Sequence, residues 1–318
     1  MKGLVFMVIN NEGLVVAIED KDIDKSGVLF FPEEAKEIHA NKLTNRISKK
    51  AKSKIQSIDF NKIIFINGSL AEIIGAAEAA TVKYINAPNL EIVSLHLFDN
   101  CNELKKASLD TAKRIEAESF WNCQNLQTIN CPNITFIGDN AFARCFKLSS
   151  FEFPKTLKSI GKYSFLMSGI KSVTIPEGAV LGASFVDCKQ LEVVRIHDLS
   201  SIRSTPLTEP FKGCEKLEQV IVDELNTDDC FLLTSAMHGY TLQCKLENET
   251  KRIFCFSDEN ILDDDVVEVT QIIGDAENDK YTICLLLDGT YRVCTKNELS
   301  SPLKNIEEIQ EWVDAFLN

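Results

Sequence analysis

The sequence predicts a solenoid of short strands with tight returns, followed by a small α+β module. Two observations carry the first half. A Phe, a Cys three residues later and a Leu three after that recur about every 22 residues between Phe98 and Val222, and most copies are followed by two apolar residues in alternation. A third observation carries the second half: past Val222 this rhythm stops and the chain turns strongly acidic.

In register, the copies are Phe98, Cys101 and Leu104; Phe120, Cys123 and Leu126; Phe142, Cys145 and Leu148; Phe185, Cys188 and Leu191; and Phe211, Cys214 and Leu217. A sixth copy departs from the pattern. It keeps Phe165, but Ser168 stands at the Cys position and the Leu position has slipped one residue early to Ile170. The Phe-to-Phe steps are 22, 22, 23, 20 and 26. Alternating pairs at Ile129 and Cys131, Phe151 and Phe153, Val173 and Ile175, Val194 and Ile196, and Val220 and Val222 predict one short strand per unit, since period two puts both side chains on one face. A unit this small cannot cover its own apolar positions. Stacked units share one continuous core, which is the solenoid solution.

These residues resemble the BspA-type leucine-rich repeat, whose units run Ile-Gly-x-x-Ala-Phe-x-x-Cys-x-x-Leu-x-x-Ile-x-Ile-Pro. The best matches run from Ile137 and Gly138 through Ala141 and Phe142 to Cys145, and from Ile160 and Gly161 to Phe165. The resemblance covers residues 98 to 222 and implies a leucine-rich-repeat solenoid. Similar repeats are common on secreted or surface proteins.

Upstream the pattern is degenerate. Ile85 to Leu90 echoes Ile129 to Ile134 at an offset of two periods, and one period before Phe98 and Cys101 stand Ala76 and Ala79, with Val82 at the Leu site. The solenoid is therefore placed at residues 60–222. Residues 1–59 are read as a hairpin, Leu4 to Ile9 against Leu14 to Ile18 across Asn10 to Gly13, plus a diverged cap or first repeat at residues 28 to 43. Lys42, Arg46, Lys49, Lys50, Lys52 and Lys54 suggest a basic helix. A solvated face is the favoured reading over a nucleic-acid site, because no aromatic residue is interleaved for base stacking.

Residues 223–318 carry 21 Asp and Glu against 7 Lys and Arg, which leaves the first 222 residues near neutrality. This is read as an acidic α+β module with strands at Phe254 to Phe256, Val266 to Ile273 and Tyr281 to Cys294, the last turning at Asp288-Gly289. An amphipathic helix capped by Ser301, with Pro302 in its first turn, closes it; Leu303, Ile306, Ile309, Val313, Phe316 and Leu317 form its apolar face.

Eleven cysteines, five of them at one repeated inward site, point to reduced packing thiols rather than disulfides. The apolar run Gly3 to Ile9 is too short for a leader or a membrane span, which leads to the expectation of a cytoplasmic protein with no membrane partner. No Gly-x-Ser-x-Gly, phosphate-binding Gly-rich loop or His-Glu-x-x-His occurs, and His39, His96, His197 and His238 fall at dissimilar positions. No catalytic residue, metal or cofactor is therefore assigned, and Asp263 to Asp265 with Glu268 read as a solvated acidic loop.

What remains is a surface. Between buried strand residues the outward ones align in rows: Tyr84 and Asn86, Lys106 and Ser108, Thr128 and Asn130, Ser150 and Glu152, Ser172 and Thr174, Val193 and Arg195, Gln219 and Ile221. Small polar rows suit recognition of another protein, so a non-catalytic interaction scaffold is the leading reading. Two others stay open. One is a structural subunit of a larger assembly. The other is an effector or enzyme using Asp228, Asp229, His238 and Asp263 to Asp265, with the repeats for targeting.

Overall fold

The structure, a computed structural model, describes residues 7–197, 210–217, 219–222, 241–246, 249–254, 269–272, 282–286, 291–294, 301 and 303–317. These fall into two compact units. One comprises residues up to 192 with 210–216; the other comprises 193–197 and the described residues from 217 onward.

In the first unit each coil of the repeat has two strand-bearing sides and a third made of turns. On the first side, Val28–Phe30, Ser57–Asp59, Tyr84–Asn86, Lys106–Ser108 and Thr128–Asn130 pair in parallel without a register slip. Leu29, Ile58, Ile85 and Ala107, the central residues of four of these strands, are buried. On the second side, Ile92–Val93, Arg114–Ile115, Phe136–Ile137, Ser159–Ile160 and Val180–Leu181 pair likewise. Val93, Ile115, Ile137, Ile160 and Leu181 point into the core. A parallel ladder with a leucine-rich-repeat core is thus observed, but with two strands per coil where the sequence suggests one. The second strand has a single inward residue, too few for an alternation to show.

The third side carries the Phe-x-x-Cys motif. Its backbone is laddered too: the Phe98 N–H donates to the Ser119 carbonyl at 2.8 Å, Phe120 to Ala141 at 2.9 Å, Phe142 to Ser164 at 2.7 Å and Phe165 to Ser184 at 2.9 Å. For the Phe N–H to face the next coil, the residues two before and two after it turn left-handed. His96 and Asn100 flank Phe98 in this way, Glu118 and Asn122 flank Phe120, Asn140 and Arg144 flank Phe142, and Tyr163 and Met167 flank Phe165. Asn tolerates this region; Arg and Met do so at a cost.

Inside, the phenylalanines form a column. Ring centres are 5.2 Å apart from Phe98 to Phe120, to Phe142, to Phe165 and to Phe185, and 5.8 Å on to Phe211. All six are buried. Beside the column, four motif thiols reach the Phe carbonyl of the preceding coil: Cys123 to Phe98 at 3.1 Å, Cys145 to Phe120 at 3.3 Å, Cys188 to Phe165 at 3.0 Å and Cys214 to Phe185 at 3.1 Å. Cys101, Cys123, Cys131, Cys145, Cys188 and Cys214 are free and buried, as the packing reading requires.

Several local expectations are corrected. The strand at Phe151 and Phe153 does not form. Phe151 packs edge-on against both Phe142 and Phe165 at 5.2 Å, and Phe153 edge-on against Phe165 at 5.6 Å and Phe185 at 6.4 Å. Two rings stand where the coil before has Ile129 and Cys131, and their bulk takes the chain off the ladder. The basic segment is not one helix either. It is a 3-10 turn at Ala40–Lys42, a strand at Thr44–Arg46 and a single helical turn at Lys49–Lys52 capped by Ser48. Asn45 anchors the break by donating to the Ile73 carbonyl at 2.7 Å. The N-terminal hairpin does form, Val8–Ile9 against Leu14–Glu19, with Gly13 at φ 88° in the turn. Leu14–Glu19, Glu37–His39 and Phe65–Asn67 then make a parallel ladder of their own.

In the second unit, Val193–Ile196, Gln219–Val222 and Thr241–Leu246 run parallel, and Glu249–Phe254 returns antiparallel. Val269–Ile272, Thr282–Leu286 and Tyr291–Cys294 form an antiparallel sheet, and a helix spans Ile306–Leu317. Asp288-Gly289 lies outside the described residues. The helix cap is Asn305 rather than Ser301: the Glu308 N–H donates to Asn305 Oδ1 at 2.9 Å, while the Lys304 N–H donates to Glu308 Oε2 at 2.7 Å.

Two stability outcomes are expected. Phe142→Ala removes a ring from the middle of the column and lowers stability by about 3–5 kcal/mol in urea unfolding; a loss below about 1 kcal/mol would mean that the column is not the core. Met167→Asn relieves a left-handed Met on the surface and raises stability by about 0.5–1 kcal/mol in the same assay, with no change or a loss speaking against that geometry.

Candidate interaction surface

The first strand side brings six of the singled-out residues together. Tyr84, Lys106 and Thr128 are directly opposite one another in register, as are Asn86, Ser108 and Asn130. All but half-buried Ser108 are exposed, and Tyr84 is 49% exposed. The second of these rows satisfies itself. Asn86 Nδ2 donates to Asp59 Oδ1 at 2.9 Å, and Asp110 Oδ1 accepts from Ser108 Oγ at 3.0 Å and Asn130 Nδ2 at 2.6 Å. Asp59 and Asp110 are the residues that reading the strands alone misses. The signal for Asp110 is its place two residues after Ser108, at the strand exit, where its carboxylate turns back over the sheet.

The remaining positions are less closely tied. Ser150 and Glu152 are exposed but belong to no strand, flanking the Phe151 and Phe153 rings. Ser172 and Thr174 are exposed on the strand Ser172–Ile175. In the second unit Arg195 is exposed on Val193–Ile196, and Gln219 pairs with Val193 and Ile221 with Arg195; the side chain of Gln219 lies outside the described residues.

A different kind of cluster sits on the turn side. The His96 Nδ1 is 3.4 Å from Glu118 Oε2 and 3.9 Å from Asp99 Oδ2. Burial pushes the Asp99 carboxyl above its ordinary value; His96 opposes this, and Glu118 and Glu72 add to it. His39 instead lies beside Glu37 at 3.1 Å and against the Phe65 ring. Asp228, Asp229, His238 and Asp263 to Asp265 lie outside the described residues, as does Glu268. Among the described residues no group of three or more His, Cys, Asp or Glu is placed to hold a metal ion, and no helix is long and apolar enough to cross a membrane. In the basic segment Arg46 pairs with Glu19 at 3.4 Å, leaving less free charge than the sequence suggests.

The raised Asp99 carboxyl gives a pH prediction with a defined sign. Since the fold disfavours its ionised form, the Asp99 contribution is most favourable below the unfolded value of about 3.9 and is lost as pH rises through the folded value. Asp99→Asn, always neutral, should therefore melt higher than the parent at pH 7, with the gain vanishing near pH 3. An equal shift at both pH values would exclude charge as the cause.

Against known proteins, the family described as BspA type leucine rich repeat region matches residues 91–218 in six copies. No curated protein matches the chain. Solved structures that are similar include a leucine rich cell surface protein from Faecalibacterium prausnitzii A2-165, 16% identical over 66% of this chain and 78% of that one, TM-score 0.33. A leucine-rich repeat protein from Eubacterium ventriosum ATCC 27560 is 15% identical over 70% and 69%, TM-score 0.34. The pneumococcal vaccine antigen PcpA is 12% identical over 74% and 78%, TM-score 0.31. The expectation of a cytoplasmic protein is corrected by these findings, which include a cell surface protein among the similar structures and the BspA type of the repeat. Its basis, a short apolar run near Met1, carries no information about compartment; burial pushes the Cys131 thiol up to about 12 and raises Cys101 and Cys145 as well. Residues 91–218 are a BspA-type leucine-rich repeat region.

Proposed function

We propose that the chain is a non-catalytic interaction protein that binds another protein through the outward face of its first strand side. The observation that carries this reading is the in-register polar surface of Tyr84, Lys106 and Thr128 beside Asn86, Ser108 and Asn130, held flat by three parallel strands. Hydrogen bonds to Asp59 and Asp110 fix Asn86, Ser108 and Asn130 before any partner arrives, so that row has little rotamer entropy left to lose on binding. Ser150, Glu152, Ser172, Thr174, Arg195 and Gln219 extend the same reading along the chain, and residues 60–222 are proposed as the binding part, with 1–59 as its cap and 223–318 as a separate acidic module. Nucleic acid is disfavoured as a partner, because the first side carries carboxylates among its polar groups and no row of bare cations.

The test is affinity capture with the full chain as bait against extracts of its native source. Asn130→Arg with Thr174→Arg places two long cations on the exposed face and should release the proteins that the parent captures. Were all of them retained, this face would not be the binding surface.

A further inference from the structure

One dipeptide joins intrinsic chemical reactivity to a place that the fold leaves open. Asn67-Gly68 is the only Asn-Gly step in the sequence. Asn67 is the last residue of the strand Phe65–Asn67 and is exposed, and among the described residues its side-chain amide makes no hydrogen bond. The Gly68 N–H that follows meets no acceptor among the described residues either. Asn86 and Asn130 are exposed too, but each donates its amide to an aspartate and is followed by a residue that carries a Cβ.

The fold itself demands the glycine. Gly68 has φ 106°, in the region that favours glycine, and a Cβ there would stand 2.5 Å from the Ala40 Cβ and 2.6 Å from Glu72 Oε2. Ala40 closes the coil before, so the crossing of two coils keeps the residue after Asn67 free of a side chain. A side chain at that position is what ordinarily hinders attack by the peptide nitrogen on the asparagine amide.

We infer that Asn67 is a self-modification site, at which the folded chain converts the side-chain amide into isoaspartate and aspartate through a cyclic imide with Gly68. Base removes the proton from the Gly68 nitrogen, which forms a bond to Asn67 Cγ; the bond from Cγ to Nδ2 breaks, and the amide nitrogen takes up a proton and leaves as ammonia. Water then opens the imide. Addition at one carbonyl gives aspartate, and addition at the other leaves the main chain running through Cγ as isoaspartate. Water and base are the only co-reactants. Because the Gly68 N–H is unbonded, its peptide plane can turn toward Cγ without losing a hydrogen bond.

The two products differ in what they do to the coil. Aspartate adds a charge directly opposite His39 in the adjacent strand. Isoaspartate also inserts a carbon into the main chain just before Ser69, which caps the helical turn Leu70–Ile74: Ser69 Oγ accepts from the Glu72 N–H at 3.2 Å, and Glu72 Oε2 accepts from the Ser69 N–H at 2.8 Å. The next residue is tied as well, since the Leu70 N–H donates to the Leu97 carbonyl at 2.7 Å. A longer main chain pulls this cap away from its partners, so isoaspartate weakens the coil where aspartate does not. The strand-face reading plays no part in this argument.

The experiment is ageing of the folded full chain at mildly alkaline pH, followed by tryptic mapping. The peptide of residues 63–83 holds Asn67 as its single amide side chain. It should gain the mass of an amide-to-acid exchange and split into isoaspartate and aspartate forms, at a rate no more than about tenfold below that of the same peptide made synthetically. Asn67→Gln, in which ring closure is far slower, should keep the peptide intact with an unchanged circular dichroism spectrum. The aged parent should melt lower than the fresh one, while Asn67→Asp melts with the fresh parent. A folded chain whose 63–83 peptide stays unchanged while the synthetic peptide converts would overturn the inference. An Asn67→Asp variant that melts as low as the aged chain would overturn the role given to the lengthened main chain.

Discussion

The structure of the repeat region depends on one constraint: the turn that carries each Phe must present its N–H to the next coil and its ring to the axis at the same time. Left-handed residues, on both sides of Phe98, Phe120, Phe142 and Phe165 and after Phe185, make that possible, and the ring column follows from it. Spacing of 5.2 Å between ring centres is close to the roughly 4.8 Å separation of paired strands, so rings and backbone ladder advance together. Loss of one coil therefore exposes two faces of core, which is why stability in such arrays is shared between nearest neighbours.

The cysteines solve a different problem. A carbonyl in the middle of a buried turn has two lone pairs, and leaving one unmet in an apolar interior is costly. The Phe98 carbonyl accepts from the Cys101 N–H at 3.3 Å within its own coil and from the Cys123 thiol at 3.1 Å in the next. A thiol is apolar enough to pack beside rings and still able to donate weakly. In the divergent copy the Ser168 hydroxyl stands 3.4 Å from the Cys188 sulfur, so the polar contact between coils persists after the replacement. These thiols serve the packing and hydrogen bonding between coils.

Legibility followed how many inward residues each element contributes. Phe98, Phe120, Phe142, Phe165, Phe185 and Phe211, five of them with a cysteine three residues on, were readable because most copies repeat the same chemistry at nearly the same spacing. Arg114–Ile115 and Phe136–Ile137 were not, since one buried residue makes no period. The strand expected at Phe151 and Phe153 had the right alternation and the wrong volume. Asn305 displaced Ser301 as the helix cap because its contact with Glu308 closes the first turn, a pairing that competes with any cap four residues earlier. On the surface, Asn86 and Asn130 were visible as outward residues, whereas the carboxylates that hold them, Asp59 and Asp110, sit in a degenerate coil and a strand exit.

The sequence by itself determined which side chains face inward and that the units must stack, because periodic burial is a property of each short segment and is written in its residue types. Only the tertiary structure decided what meets what on the outside. Asp110 reaches Asn130 across 20 residues of chain, and the Arg144 guanidinium lies 5.8 Å from the centre of the Trp121 ring of the preceding coil; both depend on how neighbouring coils are aligned. Such contacts arise between segments, through backbone hydrogen bonds that every residue can make and that no single residue type announces.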